Sequence, residues 1–160
     1  MAASRVITNH IPGLIPEEDA LRYYDYLSRN IDWQDGIPSK IHGFTRKAYA
    51  LPMEEEPEIW RLVLNTIQSL GLDPAKMQGV YLNFYRTGNE YTPGHSHPGM
   101  RQVIISLGAS RTLYLGTGKS EKRFLLSNGD VIIFGSGLHG IPKEPEVQEG
   151  RISIAIFLER

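Results

Sequence analysis

Three histidines are placed where a cation could be held. His95 and His97 are separated by one residue, and in extended backbone that spacing sends both imidazoles to the same side of a sheet. His139 follows an apolar stretch, Val131 to Phe134, and the turn Gly135-Ser136-Gly137, so a barrel could bring it over the first pair. Three imidazoles on one ion leave open positions, and imidazole suits Fe, Zn, Cu and Ni alike. A His-x-His pair also occurs as a hydrogen-bonded loop element, and on the spacing alone that reading stands beside the first. His10 and His42 lie in the helical half and read as structural or surface residues.

Two further groups face one way on strands. Alternation puts Tyr81, Asn83 and Tyr85 on one face and Val80, Leu82 and Phe84 on the other. The apolar set is expected to pack against helices and the polar set to look into a cavity or into solvent, because unpaired amides and phenols are costly when dry. On the last strand Arg151, Ser153, Ala155 and Phe157 share a face, opposite Ile152, Ile154, Ile156 and Leu158. An inward Arg beside a hydroxyl is a carboxylate receptor: the guanidinium fork takes both oxygens and the hydroxyl adds a donor. An exposed Arg in a rim ion pair is the other reading of the same residues.

The elements that must position these groups change character near residue 78. Pro16 and the acids Glu17, Glu18 and Asp19 announce a helix, carried by Ala20, Leu21, Tyr24, Leu27 and Ile31. A second helix opens in the acidic stretch Glu54 to Glu58, carries Ile59, Leu62, Val63, Ile67 and Leu70 on one side and stops at Gly71. Asp32 to Pro52 between them reads as loop with one or two short strands. From Val80 the pattern is β: Val80 to Tyr85, Gln102 to Leu107, Arg111 to Leu115, Lys122 to Leu125, Val131 to Phe134 and Arg151 to Leu158, separated by Gly- and Pro-containing turns. Short strands without intervening helices imply an antiparallel sandwich or barrel. The expected class is α+β, mainly β, in one domain over 1–160, with a helical flank (1–78) outside a jelly-roll core (79–160).

Composition removes several alternatives. The 160 residues contain no cysteine, which excludes disulfides, thiolate metal sites and thiol nucleophiles. The formal net charge of -1 argues against a strongly basic polyanion binder. No apolar run is long enough to cross a bilayer and no secretory leader is visible, so a cytoplasmic location is the expectation.

Taken in order, an Asn-x-Tyr strand, an inward His-x-His, a later His and an Arg-x-Ser strand resemble the AlkB-type branch of the Fe(II)- and 2-oxoglutarate-dependent dioxygenases. The resemblance runs through Asn83-Phe84-Tyr85-Arg86-Thr87-Gly88, Ser106-Leu107-Gly108, Gly129-Asp130 and Arg151-Ile152-Ser153. It implies a double-stranded β-helix with Fe(II) held by His95, His97 and His139. The co-substrate 2-oxoglutarate would lie on Asn83, Tyr85, Arg151 and Ser153, and O2 would be the oxidant. The reaction implied is hydroxylation or oxidative demethylation, with alkylated bases of nucleic acid among the substrates beside protein, lipid and small molecules. Lys40, His42, Arg46, Lys47 and Arg86 would then form a modest basic rim. Two positions depart from the family: His97 stands where it has Asp, and Phe157 where its repair members carry a second Arg, a loss that Arg101 or Arg111 would have to make good. The alternatives are a cupin-like metalloprotein that does not use 2-oxoglutarate, and a binding module that lost turnover when the carboxylate became His97.

Overall fold

The computed structural model describes residues 8–36 and 45–160. Helix α1 (Glu17–Asn30) has the expected acidic first turn, and its stripe buries Ala20 and Leu27. Helix α2 (Pro57–Ser69) begins three residues later than the acidic stretch suggests, with Glu56 in the left-handed region at φ 55. The reason is local: the residue before a proline is pushed out of the helical region, while Pro57 itself suits the first helical position. Gly71, just past the end, has φ 71, a conformation that suits glycine.

Among the described residues eleven strands follow in chain order as β1 (Asn9–Ile11), β2 (Gln34–Asp35), β3 (Lys47–Ala50), β4 (Met77–Tyr85), β5 (Thr92–His95), β6 (Met100–Gly108), β7 (Arg111–Leu115), β8 (Lys122–Leu126), β9 (Val131–Phe134), β10 (His139–Ile141) and β11 (Arg151–Glu159). They form two antiparallel sheets, a seven-stranded one in the order β1-β9-β6-β11-β4-β3-β2 and a four-stranded one in the order β5-β10-β7-β8. Among the described residues neither sheet closes on itself. The sequence pattern gives no sign of β1, β5 and β10. Each is three or four residues long, too short to show alternation, and β5 contains Pro93 and Gly94. Proline is tolerated there because β5 is an edge strand.

The strand β11 lies at the centre of the large sheet, between β4 and β6. One of its faces, with Ile152, Ile154, Ile156 and Leu158, joins Val80, Leu82, Val103, Ile105 and Leu107 beneath Ala20, Leu27, Ile59, Val63 and Ile67 of the two helices. The opposite face brings Tyr85, Ile104, Ile132, Phe134 and Ala155 against Leu113, Leu126 and Ile141 of the small sheet. The large sheet is therefore covered on both sides, which accounts for the nearly unbroken apolar run of β11. A cavity opens in this second layer, lined in part by Tyr85, Ile104, Leu113, Ile141 and Ala155 of the same cluster. None of the described helices is long and apolar enough to cross a membrane.

Gly88 shows how tightly the loops over β4 are drawn in. Its amide donates to Val147 O at 2.7 Å and its carbonyl accepts from the Glu144 amide at 2.8 Å. A Cβ at this position would come within 1.7 Å of Glu144 O, so only glycine fits.

Candidate metal centre

His95 is the last residue of β5 and His139 the first of β10, and the two are directly paired across these strands. His97 lies two residues beyond. Ring centroids are 4.8 Å apart for His95 and His97, 4.3 Å for His95 and His139 and 5.6 Å for His97 and His139. One ring nitrogen from each lies within 4.8 Å of those of the others. Nitrogens bound at about 2.1 Å to a common ion sit roughly 3–3.5 Å apart, so closing on a metal needs side-chain shifts of only about 1 Å.

The backbone sets the tautomers. His95 Nδ1 is 2.8 Å from Pro93 O and His139 Nδ1 is 2.9 Å from Gly137 O. Carbonyl oxygens only accept, so both Nδ1 atoms carry a proton, and Nε2 is the nitrogen that holds the lone pair whenever the ring is neutral. The His139 lone pair accepts from Gln102 Nε2 at 3.0 Å. Burial pushes the His139 pKa down to about 4; the Gly137 carbonyl opposes this, and the neighbouring His95 and His97 add to it. His97 is also lowered, by burial first and by His95 second. Neutral imidazoles are the form that binds a transition metal, and three of them fit Fe(II) as well as Zn, Cu or Ni. Phe134 packs on His139 and Phe157 on His97, each at 4.8 Å between centroids, so the imidazoles are backed by apolar rings.

The same cavity, about 750 Å³, is lined by all seven residues singled out in the sequence: His95, His97, His139, Asn83, Tyr85, Arg151 and Ser153. Register explains the last four. Arg151 lies opposite Tyr85 on β4, and Ser153 lies between Asn83 on β4 and Ser106 on β6. Arg151 is 1% exposed; its Nε donates to Ser106 Oγ at 2.9 Å and its guanidinium lies 5.4 Å from the Tyr85 ring centroid. Burial pushes its pKa down to about 10, against the pull of Tyr85, so it remains a cation at neutral pH. Its Nη2 is buried and has no hydrogen-bond partner. A buried cationic donor left unused is costly, and a dianionic keto acid would satisfy it. Tyr85 OH shares a 2.6 Å hydrogen bond with Thr92 Oγ1, and Asn83 Oδ1 accepts from Arg46 Nε at 2.8 Å.

Ser106, Thr92 and Gln102 complete the site without having been singled out as ligands. Ser106 carries a signal in hindsight, a hydroxyl inside the apolar run Val103 to Leu107. Neither Arg101 nor Arg111 lines the cavity, so neither replaces an arginine at position 157. Arg111 is fully buried in an ion pair with Glu144 at 3.2 Å and donates to the carbonyls of Thr87, Glu90 and Pro142. Of the described residues of the expected basic rim, Arg46 alone lines the cavity. Lys47 is paired with Asp35 and Arg86 with Glu90, both at 2.6 Å, while Lys40 and His42 lie outside the described residues. His10 is structural, held 2.9 Å from Asp130 Oδ2.

No protein-family model matches the sequence, and no curated protein is significantly similar to it. Solved structures do resemble the fold. The non-heme alpha-ketoglutarate-dependent epimerase SnoN from nogalamycin biosynthesis is 12% identical with a TM-score of 0.73, over 97% of this chain and 77% of that one. A Pseudomonas putida prolyl-4-hydroxylase is 12% identical with a TM-score of 0.66, over 96% and 92%. HygX from Streptomyces hygroscopicus, with nickel, 2-oxoglutarate and hygromycin B bound, is 10% identical with a TM-score of 0.74, over 96% and 83%. At such identities the likeness establishes architecture: the chain has the fold of the iron- and 2-oxoglutarate-dependent oxygenases.

Proposed function

We propose that the protein is an Fe(II)- and 2-oxoglutarate-dependent oxygenase, a single AlkB-like domain acting in the cytoplasm, whose two sheets are the halves of a double-stranded β-helix. The observation that carries this reading is the buried Arg151 Nη2 without a partner, in the same cavity as three convergent imidazoles. In this reading His95, His97 and His139 hold the iron. Arg151 and Ser153 bind the distal carboxylate of 2-oxoglutarate, and Asn83 and Tyr85 steady its chain. Iron and 2-oxoglutarate together supply the oxidation: O2 is consumed, the keto acid becomes succinate and carbon dioxide, and a substrate C–H bond is hydroxylated. On an N-methyl group the hydroxylated product would lose formaldehyde, and alkylated nucleic-acid bases are the substrate that the AlkB resemblance points to. Phe134 against His139 and Phe157 against His97 make one side of each ring apolar, which strengthens charge interactions there.

One observation favours the cupin-like alternative. Gln102, the polar residue that follows the His pair, does reach the centre through His139. That alternative leaves Arg151 buried for no purpose, so we rank it second. The test is spectroscopic and chemical together. Fe(II) and 2-oxoglutarate added under argon should give a visible charge-transfer band, and air should then yield succinate in the wild type and at equal or higher rate in His97→Asp. A band absent from both proteins, with metal bound in each, would move the assignment to the cupin-like alternative. Metal bound and a band formed without succinate from either protein would leave a binding module.

A further inference from the structure

The co-substrate reading uses the imidazoles, Arg151, Ser153, Asn83 and Tyr85, and assigns no ligand to Arg46, Tyr81 and Phe157 in the same cavity. Arg46 lies just before β3. Its Nε donates to Asn83 Oδ1 at 2.8 Å and its Nη1 to Thr45 Oγ1 at 3.0 Å. Both acceptors are neutral, so they fix the plane of the fork without cancelling its charge. Among the described residues Arg46 has no carboxylate partner, unlike Lys47 and Arg86.

An aromatic corner stands in the same cavity. Tyr81 and Phe157 meet edge to face at 5.3 Å, and Phe157 in turn packs on the His97 ring. Tyr81 remains 46% exposed, and Ala50, directly across from it on β3, is too small to cover its ring. A flat group laid there would sit beside His97 and gain ring–ring contact.

Charge narrows the ligand further. No Asp or Glu is among the described residues that line the cavity, and its two formal charges are both guanidinium. With His97 in place of a carboxylate, a divalent metal and two arginines outweigh a 2-oxoglutarate dianion. The cavity stays net positive with its co-substrate in place, which repels a cationic substrate and attracts an anionic one. We infer that the primary substrate is a small planar ring compound bearing one anionic group, gripped by Arg46 through the anion and by Tyr81 and Phe157 through the ring. This rests on the reading above, which commits Arg151 to 2-oxoglutarate.

The test is a calorimetric titration of the full chain, loaded with Fe(II) and 2-oxoglutarate under argon, with benzoate, phenyl phosphate, benzamide and benzylamine. Benzoate or phenyl phosphate should bind, the tighter of the two identifying the anion as carboxylate or phosphate, and benzamide and benzylamine should bind roughly tenfold more weakly or not at all. Arg46→Met should erase the preference for the anion, and the exposed Tyr81→Ala should weaken all ring probes, both with unchanged 2-oxoglutarate affinity. Equal binding of the anionic and neutral probes, benzylamine as the tightest, or no binding of either anion overturns the inference and leaves the oxygenase reading intact. Loss of 2-oxoglutarate binding in Arg46→Met also overturns it, because Arg46 would then belong to the co-substrate. Failure of 2-oxoglutarate to bind the wild type overturns the oxygenase reading, and with it the division of roles between the two arginines.

Discussion

Arg151 gives its Nε proton to Ser106 Oγ at 2.9 Å while its Nη2, equally buried, gives its protons to nothing. A site kept ready for an anion is an unstable place for a cation until the anion arrives. Replacing Arg151 by Met, of similar length and without charge, is expected to raise the melting temperature of the ligand-free protein. The same change should abolish the further rise that 2-oxoglutarate gives the metal-loaded wild type, with metal content unchanged. Thermal unfolding with and without 2-oxoglutarate reads both. A ligand-free protein destabilised by Arg151→Met would mean that the guanidinium serves the fold.

The contact between Gln102 and His139 sets two acceptors of one lone pair in competition. Nε2 of His139 accepts from the Gln102 amide at 3.0 Å, and a metal would need those same electrons. A hydrogen bond of this kind is worth about 1 kcal/mol net. Gln102→Leu should therefore tighten binding of a divalent cation by roughly fivefold, read by competition with a chelating dye. Weaker binding in the variant would instead make the Gln102 side chain a contributor to the metal site.

Much of this site was legible in the residues because strand alternation is strict. Arg151 and Ser153 face the cavity for the same reason that Ile152 and Ile154 face the helices, and one register shift would exchange them. The contribution of β5 and β10 was not legible. His95 and His139 meet because two strands of four and three residues pair across the small sheet, and segments so short carry no periodic signal. The start of the second helix is misleading in the sequence because the acids before Pro57 look like a first turn, whereas steric conflict with the proline ring holds Glu56 out of it. Arg111 offered no sequence clue to its actual partner, Glu144, 33 residues away on a loop without regular structure.

Acid should destabilise the metal-free protein in a defined window. Burial is the main cause that lowers the His139 pKa to about 4 from the ordinary 6.5. Above pH 6.5 the group is neutral in folded and unfolded chains alike and has no effect. Between about 6.5 and 4 only the unfolded chain takes up the proton, so stability falls with falling pH, by up to ~3 kcal/mol, and levels off below. His97, lowered for the same reason, acts in the same direction. Asp130 acts lower. Burial opposes its ionisation, but hydrogen bonds from Ser127, His10 and Gly13 outweigh that and depress its pKa, so its contribution is lost only as pH falls below 3.8. Urea unfolding across pH 4–7 should show the slope in the wild type and a shallower one in His139→Gln; equal slopes would place the proton uptake elsewhere.

The Arg111 guanidinium organises loops, and its removal should be felt by the fold before the ligand. It is fully buried, paired with Glu144, and bonded to carbonyls at 87, 90 and 142, which ties the loop after β4 to the loop after β10. Glu144 also accepts from the amide and hydroxyl of Thr112, so the pair is held from both sides. Truncating one partner of such a pair leaves the other charge and several carbonyls without donors, at a cost of about 3–5 kcal/mol. Arg111→Met should lower the free energy of urea unfolding by that amount while the folded fraction keeps its 2-oxoglutarate affinity, because the side chain does not line the cavity. The opposite result, intact stability with affinity lost, would return Arg111 to the role of second co-substrate arginine that Phe157 vacates.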